Sequence, residues 1–302
     1  PFLGQYDPAA PLLNRPLGPI GNVYEYESEG IFRQNQLFVQ GTVRAGAKLL
    51  ITTYYTLNYA KSDTSGVNSF PSNPFNVLDD YGRASFDIRN RFFLLGSVAL
   101  PHGFRFSPFL IASSGLPYNV TLSQDLLGSS QFNQRPTFAS GSTPAGNVVT
   151  VPGFPAFNTV PTAGEEIPVN FLTSAGRFTM NVRLSKVFGF GKVADRSAGT
   201  GGGGPGGGGG RGPGGPFGGG RGGFGGLEAT GKRYTVTLSI NARNLFNNVN
   251  AQVPSAVLNP PTGTSSASAS AFFAVPNALA GQPYNTGSSA NRQIFLQASF
   301  GF

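Results

Sequence analysis

The chain has no cysteine, no tryptophan, one methionine and one histidine. Without cysteine there is no disulfide framework and no thiolate to act as ligand or nucleophile. With His102 as the sole imidazole, a multi-histidine metal centre and a histidine-dependent triad both lack their parts. Charge is scarce: 11% of residues are charged, against roughly 25% in an ordinary soluble domain. No apolar run approaches the roughly 18 residues a membrane-crossing helix needs, and no segment carries a sustained amphipathic helical period. The run "GGGGPGGGGG" lacks the Gly-Lys-Ser/Thr ending of a phosphate loop. The opening "PFLGQYDPAA" has no basic or apolar leader region and reads as an internal start.

Glycine (44), proline (24), phenylalanine (27) and tyrosine (10) are abundant among the 302 residues. Few charges with many aromatic and turn residues suit an all-β chain. The net charge of +8 is spread along the whole sequence, whereas a nucleic-acid footprint is clustered.

Alternation is the dominant pattern. In "LLITTYYTLNYA", residues 49–60, Leu49, Ile51, Tyr55 and Leu57 share one face, while Leu50, Thr52, Tyr54 and Thr56 share the other. Period two in β-branched and aromatic residues predicts a strand, here long beside the usual 5–6 residues. The same pattern predicts strands at 36–45, 85–100, 104–113, 177–186, 234–243 and 293–302, with a weaker one at 22–29. That is about eight. "GAK" (46–48) and "PHG" (101–103) make tight connections, and 61–84, 114–176 and 247–291 make long ones rich in Ser, Asn, Gly and Pro. Alternating tight turns and long loops is the pattern of an outer-membrane barrel.

The polar faces carry Arg89, Arg91, Arg105, Arg183 and Arg243, with Asp87, in what reads as mid-strand. A barrel lumen would solvate them, and the opposite apolar faces suit a lipid-facing band about 25 Å tall. Arg89, Arg91, Arg183 and Arg243 are the candidate ligand contacts, for an anion; the other reading pairs them with Asp87 or with protein filling the lumen. The carboxylate pairs Asp79-Asp80 and Glu165-Glu166 fall in loops, where solvation is the first reading and Ca²⁺ the second. His102 reads as a turn residue. No catalytic set emerges, so neither enzyme activity nor a cofactor is expected.

The stretches "VYEYESEGIFRQNQLFVQ", "DDYGRASFDIRNRFFLLGSVALP", "SSGLPYNVT" with "NQRP", "SINARNLFNNVN" and "RQIFLQASFGF" resemble the C-terminal β-barrel region of TonB-dependent outer-membrane receptors, most nearly the Oar-like group. The resemblance covers nearly the whole chain; "NARNLFNN" and the terminal aromatic are its most specific pieces. It implies a 22-stranded barrel filled by an N-terminal plug, with uptake energised from the inner membrane. About eight strands would be the last third of such a receptor, without plug, signal peptide or TonB-contacting box. The family's acidic "NGD" element is replaced here by "LSQDLLGSSQF". Phe300 and Phe302 match the terminal aromatics that the barrel-assembly machinery reads.

If Phe302 closes the last strand on the periplasmic side, the connection before residue 234 is periplasmic as well. It contains a low-complexity insert at 191–232, in which 20 of the 28 residues of 199–226 are glycine. A disordered connector is expected there. Only Arg211 and Arg221 with Phe217 and Phe224 would serve an RNA-binding tract of the RGG kind, so no nucleic-acid partner is expected.

The expected fold is thus all-β, part of an antiparallel transmembrane barrel of about eight meander strands, spanning 1–302. Its place would be the bacterial outer membrane. Its partners would be membrane lipid, the assembly machinery, and the plug and remaining strands of the receptor. The energy-transducing inner-membrane complex would be met only through the plug. Two alternatives stay open: a small self-closed eight-stranded barrel with a structural or adhesion role, and a soluble all-β binding module.

Overall fold

The computed structural model describes residues 24–74, 76–127, 129–162, 164–193, 232–280 and 290–301. Seven long strands dominate it: β1 (Phe32–Ala45), β2 (Leu49–Ser62), β3 (Asn90–Leu100), β4 (Phe104–Ser113), β5 (Arg177–Val193), β6 (Lys232–Arg243) and β7 (Gln293–Gly301). Each pairs antiparallel with its chain neighbour, giving one meander sheet in sequence order; a short piece, Gly82–Arg83, joins the far end of β2. Among the described residues β1 and β7 each have one neighbour, so the sheet is open.

The register sorts the side chains into two faces. Val39 pairs with Tyr55, Tyr55 with Phe92, Phe92 with Ala112, and Ala112 with Phe178. Further along, Leu184 pairs with Ile240 and Ile240 with Leu296. Apolar residues therefore meet apolar residues across the sheet, as cross-strand parity requires. The burial of these faces is the reverse of a soluble sheet. In β6, Leu238 and Ile240 are 48% and 46% exposed, while Thr237 and Ser239 are 5% and 4% exposed. Among the described residues of the long strands, the buried apolar side chains reduce to Ala60.

The tight turns are as expected. Gly46 (φ 56°), His102 (φ 63°) and Gly103 (φ 75°) take left-handed conformations that reverse the chain in two or three residues. Pro108 stands inside the sheet, where it cannot donate to the ladder. It is tolerated because Gly96 lies opposite: a Cβ at Gly96 would meet the Pro108 ring at 2.8 Å.

Two expected strands are corrected. Residues 24–29 form no strand. The Tyr/Glu alternation there has no neighbouring ladder, and Tyr24 packs on Phe70 instead, with ring centroids 4.9 Å apart. The strand expected from residue 85 starts at Asn90. Ahead of it the backbone turns, with Asp87 N–H donating to Ala84 O (3.0 Å) and Ile88 N–H to Phe86 O (2.9 Å). Phe86, Asp87, Ile88 and Arg89 are therefore outside the strand. The number of long strands is seven among the described residues.

The long connections all leave from the same end of the sheet, and they are not featureless. Thr137–Phe138, Phe157–Asn158 and Val148–Val149 form a small antiparallel sheet. Pro117–Tyr118 pairs with Leu172–Thr173, and Val120–Leu122 runs parallel to Ala256–Asn259. Around them lies the apolar core of the molecule, including Leu122, Phe157, Ile167, Leu258 and Phe273. The core thus belongs to a cap built from two loops. The glycine tract lies outside the described residues, but its flanks meet: Val193 pairs with Lys232 at the tight-turn end.

Candidate functional site

The polar face is built from residues one step out of register with the apolar stripe. Arg91 lies opposite Ser113, which lies opposite Arg177; Arg183 lies between Ser107 and Asn241; Arg243 lies opposite Gln293. Parity adds Arg44 and Arg105 to this face. The seven strands contain no Asp or Glu at all, so every charged side chain on the face is cationic. Arg105 donates to Ser97 Oγ at 3.0 Å, and the Arg243 guanidinium sits 4.9 Å from the Phe295 ring centre. The Arg183 Nε is buried and has no hydrogen-bond partner among the described residues. Such a face attracts anions. Of the four arginines expected here, Arg91, Arg183 and Arg243 share it. Arg89 does not: it precedes β3, donates from Nε to Asp87 Oδ2 (2.7 Å) and lies 4.3 Å over the Tyr59 ring.

At the long-connection end, polar side chains tie the cap to the strands. Asp87 is fully buried. Its Oδ2 accepts Arg83 Nε (2.9 Å) and Arg89 Nε (2.7 Å), and its Oδ1 accepts Asn58 Nδ2 and Ala60 N–H, both at 3.0 Å. Arg83 continues to Thr173 Oγ1 at 2.7 Å, which carries the network into the next loop. Burial alone would raise the Asp87 pKa; the hydrogen bonds from Arg83, Arg89 and Ala60, with the charge of Arg89, outweigh it and hold the carboxyl below the usual carboxylate value. A depressed pKa means a contribution that is full above the unfolded-state pKa and lost as pH falls through the folded one. The rim should therefore hold at pH 5 and loosen below about pH 4. Asp87→Asn should abolish that pH dependence, as read by protease sensitivity of the loops against pH.

A second buried centre joins the β2–β3 connection to the β4–β5 connection. Arg135 donates through Nη1 to Asp80 and to Ser72 Oγ (3.0 Å), through Nη2 to Asp79 O (2.7 Å) and through Nε to Ile167 O (3.0 Å). Asp80 is completed by Ser72 N–H at 2.7 Å. Asp79 accepts Asn73 Nδ2 (2.8 Å) and Asn76 Nδ2 (2.6 Å), and Glu166 accepts Gly164 N–H (3.0 Å). The carboxylate pairs are thus engaged in loop structure. Among the described residues no cluster of three or more His, Asp or Glu is placed to hold a metal.

The third tie is made of asparagines in "NARNLFNNVN". Asn244 is 1% exposed with φ +49°. Its Nδ2 donates to Asn248 O (3.0 Å) and Ala290 O (2.5 Å), its Oδ1 accepts Asn248 N–H (2.9 Å), and its own N–H reaches Asn181 Oδ1 (2.9 Å). Asn250 bonds Phe178 N–H and Thr179 Oγ1, both at 2.9 Å. Asparagine serves because it tolerates the left-handed region and carries both donor and acceptor. Asn244→Ala should cost about 2–3 kcal/mol, since it strains the backbone and strips buried carbonyls of their donor. Asn244→Gly should cost less, because it loses only the bonds. Denaturant midpoints of the two variants check the ranking.

Sequence reasoning overlooked Arg135 and Asn244 as centres, although both lie in stretches it had singled out, "NQRP" and "SINARNLFNNVN". The signal available was an arginine and an Asn cluster inside otherwise bland loop sequence. Phe300 is 59% exposed on the apolar face, within 6.1–6.2 Å of Tyr234 and Phe190 ring centres; Phe302 lies outside the described residues.

Residues 3–195 match a family model described as an outer membrane beta barrel domain. No curated protein and no solved structure matches the chain. The match spans β1–β5, and β6 and β7 continue the same sheet, with one register shift between Phe190 and Val193. With more than half its length on the family model and a sheet that exposes its apolar face, this chain belongs to the outer membrane beta barrel domain family, of the bacterial outer membrane.

Proposed function

We propose that this chain is the C-terminal barrel portion of a TonB-dependent receptor of the Oar-like group, and that it takes part in ligand uptake rather than catalysis. The observation that carries the reading is the open sheet with a polar face whose charged side chains are all cationic. In hydrocarbon every backbone N–H and C=O must be paired, and among the described residues β1 and β7 each leave one edge unpaired. Further strands would complete such a barrel. Arg91, Arg183 and Arg243 would then face its lumen, where an acidic plug surface or an anionic ligand supplies the missing charge. The long connections, with their own core, would form the outer rim, since long loops face outward in this class of barrel.

The same edges bear on the self-closed alternative: the seven described strands alternate in direction, so direct closure would pair β1 with β7 in parallel, as a barrel of seven strands and not the expected eight. The chain is free of cysteine, so introduced pairs report cleanly. With Thr42→Cys and Gln297→Cys in the protein as the cell makes it, a short bis-thiol reagent should give no β1–β7 cross-link; a cross-link would select the self-closed barrel. For transport, the test is energy dependence. Ligand accumulation in cells should fall to the level of a gene deletion when the inner-membrane proton gradient is collapsed. Accumulation that survives would remove the TonB-dependent reading.

A further inference from the structure

We propose that Arg33 and Lys61, at the long-connection end of β1 and β2, form a binding site for the phosphate-bearing headgroup of a membrane lipid. The two residues are directly opposite each other in the ladder. Parity places them on the apolar, outward face, in the same row as Leu37, Leu57 and Tyr55. Both are exposed. The ion pairs among the described residues are Arg83–Asp87, Arg89–Asp87 and Arg135–Asp80, and neither Arg33 nor Lys61 takes part in one. Like charges directly opposite on one face repel. A shared anion converts that repulsion into two attractions.

Depth identifies the anion. From Leu49 to Tyr59, β2 advances about ten residues, or roughly 33 Å along the strand. At the roughly 40° tilt of these barrels that is about 25 Å of membrane normal, the height of the apolar band. Tyr59, 47% exposed, then falls in the interfacial aromatic girdle. Lys61 and Arg33 stand one step beyond on the same face, level with lipid headgroups. Arg89, stacked 4.3 Å over the Tyr59 ring, brings a third cation to the edge of the site. Opposed side chains have Cβ atoms about 5 Å apart, so an ammonium and a guanidinium can hold one phosphate together, the guanidinium through two parallel N–H bonds. The acyl chains of that lipid would lie down the apolar stripe below.

The test is lipid retention by the full chain extracted in mild detergent, read by native mass spectrometry. The probes are a bisphosphorylated glucosamine lipid, its enzymatically dephosphorylated form, and inorganic phosphate. The unaltered protein should retain the phosphorylated lipid at least tenfold over the dephosphorylated one. Arg33→Gln with Lys61→Gln should reduce that preference to within about twofold, while Arg91→Gln with Arg183→Gln on the inner face should leave it intact. An unaltered protein without preference, or a double Gln variant that keeps it, overturns the proposal. Displacement of the lipid by millimolar inorganic phosphate would also overturn it, as a free-phosphate site. If the double Gln variant does not refold, the charge-preserving exchange Arg33→Lys with Lys61→Arg must keep the preference, and the comparison of the two lipids on the unaltered protein decides without any variant.

Discussion

Arg135→Met should open the cap while leaving the sheet folded. Removing the guanidinium strands the buried Asp80 carboxylate, together with the carbonyls of Asp79 and Ile167 and the Ser72 hydroxyl. Breaking one side of a buried pair costs about 3–5 kcal/mol. The loss is local, because Arg135 links two connections and its hydrogen bonds go to Asp80, Ser72, Asp79 and Ile167, none of them in a long strand. In whole cells, protease added outside should cut within 114–176 many times faster in the variant, while the heat-modifiable gel shift of the folded barrel persists. Arg135→Lys should rescue little, since one ammonium cannot reproduce a fork that reaches four acceptors. Adding Asp80→Asn to Arg135→Met should recover much of the loss, because the stranded charge is gone. Equal protease resistance in Arg135→Met and the unaltered protein would show that the apolar core alone holds the cap.

Leu296→Arg and Gln297→Arg should differ sharply although they are neighbours. Leu296 is 81% exposed, and Gln297 is exposed as well. In water, substitutions at exposed sites fall within about ±0.5 kcal/mol, so a soluble sheet would accept both. In the membrane they divide by parity. Leu296 lies opposite Ile240 on the apolar face, and Gln297 opposite Ser239 on the polar one. Arginine on the lipid side near mid-depth costs about 2–4 kcal/mol; on the polar side it joins a face that already carries Arg91, Arg183 and Arg243. Refolding into lipid vesicles across a denaturant series measures both. A Leu296→Arg midpoint equal to that of Gln297→Arg would mean that the exposed apolar stripe does not face lipid.

The two faces, the tight turns and the arginines of the polar face were legible from residue order, because they are single-strand properties. Once a segment is extended, covalent geometry sends alternate side chains to opposite sides, so Leu238 and Thr237 part company before any partner arrives. Gly46 and Gly103 likewise mark reversals that each turn needs locally. What only the tertiary structure decided is every feature that depends on a distant partner. Residues 24–29 alternate well and still form no strand, since a strand without a neighbour gains no ladder. The β3 boundary moved to Asn90 because Asp87 is drawn into a buried hub by Arg83, Arg89, Asn58 and Ala60. The order within the long connections was not legible in their Ser, Asn, Gly and Pro composition, because it comes from contacts such as Arg135 with Asp80, 55 residues apart, which no local period encodes. Alternation is set by the chain's own stereochemistry; burial and pairing are set by which segments meet, and that is a property of the folded sheet and its cap.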